Sequence, residues 1–159
     1  MNENNLEKII NNIVGDAIVK EVMSLKLAVK LIETVEEKAA EMGLAVVVAV
    51  SDASGRPIAV HCMDGAYHGS FDVAVNKTYT STAFQMSTAK LSRLCQPGQD
   101  LYGLQFSNNG KVMILGGGEQ LMVGKTMIGA LGVSGGSAQE DSDLAAYGAS
   151  ALKEVIKCL

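Results

Sequence analysis

The sequence predicts an α+β fold, a largely antiparallel sheet of about five strands flanked by helices. Three observations point there. Apolar residues recur at helical spacing over residues 25–42 and again over about 138–157. Between them, short runs rich in Val and Ile are joined by tight turns containing Gly, the pattern of hairpins. The resulting order is helix, two strands, two helices, three strands and a helix, with strands and helices segregated instead of alternating.

At the amino end, Leu6, Ile9, Ile10, Ile13, Val14, Ala17 and Ile18 share one helical face, with Glu7, Lys8, Asn11, Asn12 and Asp16 on the other. Two readings stay open for residues 1–22: a first helix packed on the domain, or a docking helix whose apolar face fills a groove on a partner. A helix this short is marginal alone in water, so a docking segment would order on binding. Ser24 then caps a helix over 25–42, with Leu25, Ala28, Leu31, Ile32, Val35 and Ala39 inward and Glu33, Glu36 and Glu37 on a solvated face. Gly43 stops it.

Residues 44–51 form a nearly unbroken aliphatic run, as expected of a strand buried on both faces. Asp52-Ala53-Ser54-Gly55 turns the chain into a second strand over 56–63, with His61 and Cys62 on opposite faces. A helix starts at Gly69 or Ser70, and a shorter one capped by Ser87 or Thr88 ends before Pro97-Gly98. Three strands are expected at 112–115, 120–123 and 127–133. Ser137 and Glu140 have capping-box spacing at the start of the last helix, whose inward stripe includes Leu144, Tyr147, Leu152 and Val155.

The 159 residues suit one domain with a short extension, and 48% hydrophobic against 19% charged residues is enough for a true core. A net charge of −4 and scattered Lys and Arg speak against nucleic acid or an anionic membrane as partner. Cys62, Cys95 and Cys158 are an odd count without a CxxC, which reads as reduced thiols. With no secretory leader visible and no apolar run near the ~20 residues a membrane helix needs, the expected location is cytoplasmic.

The chemistry concentrates in residues 44–81, which hold both histidines. His61 lies on an apolar strand, as a core histidine or a ligand. His68 lies in a loop next to Gly69, as a surface side chain or an axial ligand for iron. Their spacing matches no zinc motif. Cys62 has no activating neighbour and reads as structural. No nucleophile elbow or Walker sequence is present, and no GK[ST] follows Gly116-Gly117-Gly118. Gly135-Gly136, just before the last helix, is either a tight turn or a set of amides for a carboxylate or phosphate. With Lys77, Lys90 and Arg93 as partners, that end of the molecule would receive the propionates of a tetrapyrrole.

The stretches VAVSDASGRPIAVHCMDGA and FDVAVNKTYTS, the glycine turn at 116–118, and IGALGVSGGSAQEDSDLAAYG together resemble the GlcG/HbpS family, which includes the C-terminal domain of PduO-type proteins. The resemblance covers nearly all of residues 23–159. It implies an antiparallel sheet packed with helices, a homo-oligomer, and a haem-binding accessory protein more than an enzyme. With that resemblance, His68 is the expected ligand of haem iron and His61 the second choice, while Lys77, Gly135 and Gly136 are expected as further cofactor contacts on the reading of the residues given above. The sequence departs from the family pattern at Cys62, where Arg is expected after His61. No adenosyltransferase region precedes the match, so cobalamin adenosylation is not implied. PduO-type proteins occur with bacterial microcompartments, so residues 1–22 look like an encapsulation helix for a shell or core protein, with the microcompartment lumen as destination. The alternatives are a redox accessory or enzyme for a corrinoid or small metabolite, and a structural oligomer without ligand.

Overall fold

The computed structural model describes residues 22–159, so the amphipathic helix expected over 1–22 lies, but for Val22, outside the described residues. The elements are α1 (Leu25–Glu41), β1 (Val47–Asp52), β2 (Pro57–Cys62), α2 (Ser70–Ala83), α3 (Thr88–Leu94), β3 (Gly118–Val123), β4 (Thr126–Ser134) and α4 (Ala138–Lys157). The sheet runs β2-β1-β4-β3 with every neighbouring pair antiparallel. The α+β class holds, with four strands among the described residues.

The strand expected at 112–115 does not form. Thr80 of α2 holds its backbone instead: the Met113 N–H donates to Thr80 Oγ1 at 2.8 Å, while the Thr80 hydroxyl donates to the Asn76 carbonyl within α2 at 2.7 Å. Val112 and Ile114 pack with Leu91 and Cys95 in a small cluster beside α3. Backbone groups satisfied by a helix side chain have no need of a ladder.

α1 and α4 cover one face of the sheet. Ser24 Oγ accepts from the Leu27 N–H at 3.2 Å and starts α1, whose buried stripe is Leu27, Ala28, Leu31, Ile32, Val35 and Ala39. That stripe meets Leu144, Leu152 and Val155 of α4 over Val46, Val48, Val50, Leu131 and Val133. Leu25 and Tyr147, both expected inside, are exposed. Leu25 precedes the buried stripe, and Tyr147 lies under the Lys38 ammonium, 5.9 Å from the ring centroid. Ser137 and Glu140 form the expected capping box at the start of α4.

α2 lies across the other face, against small residues: Ala49, Ala130 and Gly132. A Cβ at Gly132 would run into the Ala74 carbonyl oxygen, so helix and sheet approach closely because this position is glycine. The inward side of α2 is correspondingly small, Ser70, Ala74, Thr78 and Ser81, with Lys77 the one long side chain among them.

Candidate functional site

The close approach of α2 to β4 buries a lysine. Lys77 is 1% exposed, and its Nζ donates to the Val133 carbonyl at 2.6 Å and to Asp141 Oδ2 at 2.8 Å. Asp141, in the first turn of α4, is 4% exposed, and its Oδ1 accepts from the Gly136 N–H at 2.9 Å. Gly117, at φ +109°, wraps the pair. A Cβ there would lie 2.7 Å from Asp141 Cβ and 2.8 Å from Lys77 Nζ, and its carbonyl accepts from the Val133 N–H at 2.8 Å. Burial pushes the Lys77 ammonium below the usual lysine range, and the Asp141 carboxylate opposes that shift.

Lys77 and the turn of Gly135 and Gly136 therefore do meet around a carboxylate, as the sequence suggests, but it is one the chain supplies itself. With both charged groups buried and paired, the arrangement joins α2, β4, α4 and the turn at 116–118. Lys90 and Arg93 are exposed on α3. The sequence reading missed Asp141. The available signal was a lysine on the inward stripe of a helix, which needs a buried counter-ion somewhere else in the chain.

His61 and His68 do not converge. His61 pairs with Val48 across the sheet and faces α1, where its Nδ1 lies 3.2 and 3.3 Å from the two carboxylate oxygens of Glu36. Its side chain is 36% exposed, and that of Glu36 24%. Glu36, assigned by pattern to a solvated helix face, thus leans over the edge strand. A β-bulge between Val50 and Ser51 shifts the β2 register, and Ile58 packs on the α1 side while Val60 packs on the α2 side.

His68 lies in the turn that enters α2. The Ser70 N–H donates to the Tyr67 carbonyl at 2.9 Å, and the Phe71 N–H to the His68 carbonyl at 3.4 Å. A hydroxyl contact of 3.2 Å between Ser134 and the buried Ser70 pins the helix start to β4. The His68 side chain is exposed and makes no hydrogen bond or ion pair among the described residues. Its neighbours Tyr67 and Phe71 are 74% and 45% exposed, and Val60, Ala66 and Val75 are half-buried against the α2-side core of Val47, Ala49 and Ala74. An unpaired imidazole beside exposed aromatic rings can coordinate iron and offers apolar surface for a planar ligand.

Cys62 is exposed at the end of β2, contrary to the buried thiol its residue type suggests, because β2 is an edge strand. Among the described residues no three His, Cys, Asp or Glu side chains are grouped to hold a metal ion, and no helix is long and apolar enough to cross a membrane. An apolar groove of about 350 Å³ opens between the β3–β4 hairpin and the end of α4. Neither histidine lines it.

The comparisons with known proteins agree with this architecture. The family model described as HbpS-like, "Haem degrading protein HbpS-like", matches residues 23–150. An uncharacterized 15.0 kDa protein of Citrobacter freundii, from the dhaT-dhaS intergenic region, is 38% identical over 77% of this chain and 87% of its own length. The corrinoid adenosyltransferase PduO of Salmonella typhimurium is 39% identical over 69% of this chain, which spans only 32% of that relative. A crystal structure described as a PduOC:heme complex superposes with a TM-score of 0.78 at 35% identity, over 82% of this chain and 94% of that one.

Proposed function

This chain belongs to the HbpS-like family, and on that premise we propose that it is a haem-binding accessory protein, acting as a homo-oligomer and carried to a bacterial microcompartment by residues 1–22. The observation behind the haem reading is the likeness to the PduOC:heme complex, which extends over 94% of that chain. Haem, when bound, supplies an iron whose chemistry is set by its axial ligand and by the polarity around it.

Among this chain's residues, His68 would hold the haem iron, with neutral imidazole as the ligating form. Tyr67 and Phe71 give apolar contact on either side of it in sequence. His61 is the second choice, because its Nδ1 faces the Glu36 carboxylate. Lys77, Gly135 and Gly136 keep the entrance to α4 in place and are not needed as direct contacts. His68 and its aromatic neighbours form an exposed platform, so a haem resting there is covered on its open side by a second copy. This is the physical ground for the homo-oligomer reading.

The microcompartment reading rests on the apolar stripe of residues 6–18, which precedes the family match beginning at residue 23. Adenosyltransferase activity is left with PduO itself, since this chain spans 32% of it.

Haemin titration followed by absorbance tests the proposal. A saturable Soret shift is expected in the wild type and in His61→Ala, and its loss in His68→Ala. A Soret shift unchanged by either substitution, or none at all, overturns the His68 assignment and moves attention to corrinoids and small metabolites.

A further inference from the structure

The groove of about 350 Å³ between the β3–β4 hairpin and the end of α4 is used neither by the histidines nor by the buried Lys77–Asp141 pair. Its apolar lining comes from both elements. Met122, 42% exposed, and the half-buried Val123 come from β3, and the half-buried Ile156 comes from α4. Val123 and Ile156 pack against the larger core, to which Leu152, only 2% exposed, belongs. The walls are therefore held by the fold. The charged side chains lining the groove are Lys153 and Lys157.

Helix geometry places these groups. Leu152 and Ile156 are four residues apart on α4, and so are Lys153 and Lys157. An apolar row and a cationic row thus run side by side, with about 6 Å along the axis between the members of each. Two ammonium groups at this spacing repel each other. One exposed carboxylate serves both. Glu154 accepts from Lys157 Nζ at 2.8 Å, and Lys157 first, with Lys153 adding to it, holds the Glu154 carboxyl below the usual range. A further cation, Lys125, follows Gly124 of the lining in the hairpin turn. The Leu159 carbonyl lies 3.5 Å from Lys26 Nζ, on the α1 side.

An apolar groove edged by surplus positive charge matches a flexible alkyl chain that ends in one anionic group. A rigid polar metabolite needs convergent donors and acceptors to orient it. An alkyl chain needs only apolar walls and a cation at one end. The net charge of −4 disfavours an anionic lipid surface as the source. We infer that the groove is a binding site for a free medium-chain carboxylate, with its tail along Met122, Val123 and Ile156 and its head at Lys153 and Lys157. The carboxylate also relieves the repulsion between the two lysines, which an amine of equal length would increase. Because Met122 is partly open to water, each added methylene gains about two- to threefold in affinity, short of the roughly fourfold of full burial.

Calorimetric titration of the full chain at low ionic strength, with hexanoate, octanoate and decanoate below micelle-forming concentrations, tests this. Saturable binding that strengthens by that factor per methylene is expected, with octylamine at least about fivefold weaker than octanoate. The double variant Lys153→Glu, Lys157→Glu should reverse the preference between these two head groups. Met122→Asp, on an edge strand, should weaken octanoate, and unfolding midpoints show that both variants are folded. In the wild type, methyl NMR signals of Met122 and Ile156 should move with octanoate and stay still on protein dilution. No saturable binding, equal affinity for octanoate and octylamine, or still methyl signals during the titration overturns the inference. So does a titration that neither folded variant changes. Methyl shifts that follow protein concentration overturn it in favour of a second copy. Pelleting with phosphatidylglycerol vesicles without binding of free octanoate overturns it in favour of a lipid surface. His68→Ala should bind octanoate as the wild type does, so this result and that of the haemin titration are independent.

Discussion

Lys77 illustrates what a single residue must satisfy in this fold. A lysine loses both hydration and a large share of its rotamer freedom when buried, and the cost is met only by close partners. Asp141 and the Val133 carbonyl are those partners. Removing one member leaves the other charge buried and alone. Lys77→Met or Asp141→Leu should each lower unfolding free energy by about 3–5 kcal/mol, a large part of the ~5–15 kcal/mol typical of a domain. The double variant Lys77→Met, Asp141→Leu should be clearly less destabilised than the sum of the two losses, since no unpaired charge remains. Urea denaturation of the four proteins of the cycle measures this, and strict additivity would show that the pair is not energetically coupled. His61 and Glu36 form a looser pair at the edge of β2, partly open to water, where a salt bridge contributes little.

At the scale of elements, the placement of α2 decides where His68 and Lys77 lie. The helix has no broad apolar face, and its inward Ser, Thr and Ala side chains are short. They fit because β4 presents glycine and alanine beneath them. Gly132→Ala should therefore push the Ala74 turn away from the sheet and cost about 1–3 kcal/mol, seen as a lower unfolding midpoint. The haem affinity of that variant should fall with it if the turn at His68 moves. The same helix explains the missing fifth strand. Thr80 accepts from the Met113 N–H and holds the 112–115 segment against α2, where an apolar pattern alone suggests a strand.

For the whole molecule, the family match and the described core both begin at residue 23. Met23 is the first residue of the described core, joined to Leu27 and Leu31 in the larger hydrophobic cluster. A chain lacking residues 1–22 should still unfold cooperatively and keep its sheet amides protected, while losing co-localisation with a microcompartment shell in cells that build one. Loss of cooperative unfolding in that truncation would instead make the amino-terminal segment an integral part of the domain.

Much of this architecture is legible in one dimension because its causes are local. The i, i+3, i+4 stripe of α1, the Ser24 and Ser87 caps, the Ser137–Glu140 capping box and the double-sided aliphatic run of β1 are all set by neighbours within a few residues. The resemblance to a haem-linked family is likewise carried by four short stretches. The contacts that define the site are not local. Glu36 reaches His61 across 25 residues, and Asp141 reaches Lys77 across 64. Nothing in the helical pattern of either carboxylate marks its partner. The sequence by itself determined the α+β class, the helix limits and the identity of one central strand, β1. Only the tertiary structure decided that Lys77 and the glycine turns enclose the chain's own carboxylate and that the two histidines face different ways. It also decided that an apolar groove opens between the β3–β4 hairpin and the end of α4. Each of these depends on how closely α2 and α4 pack on the sheet, and that distance is set by side chains far apart in the chain.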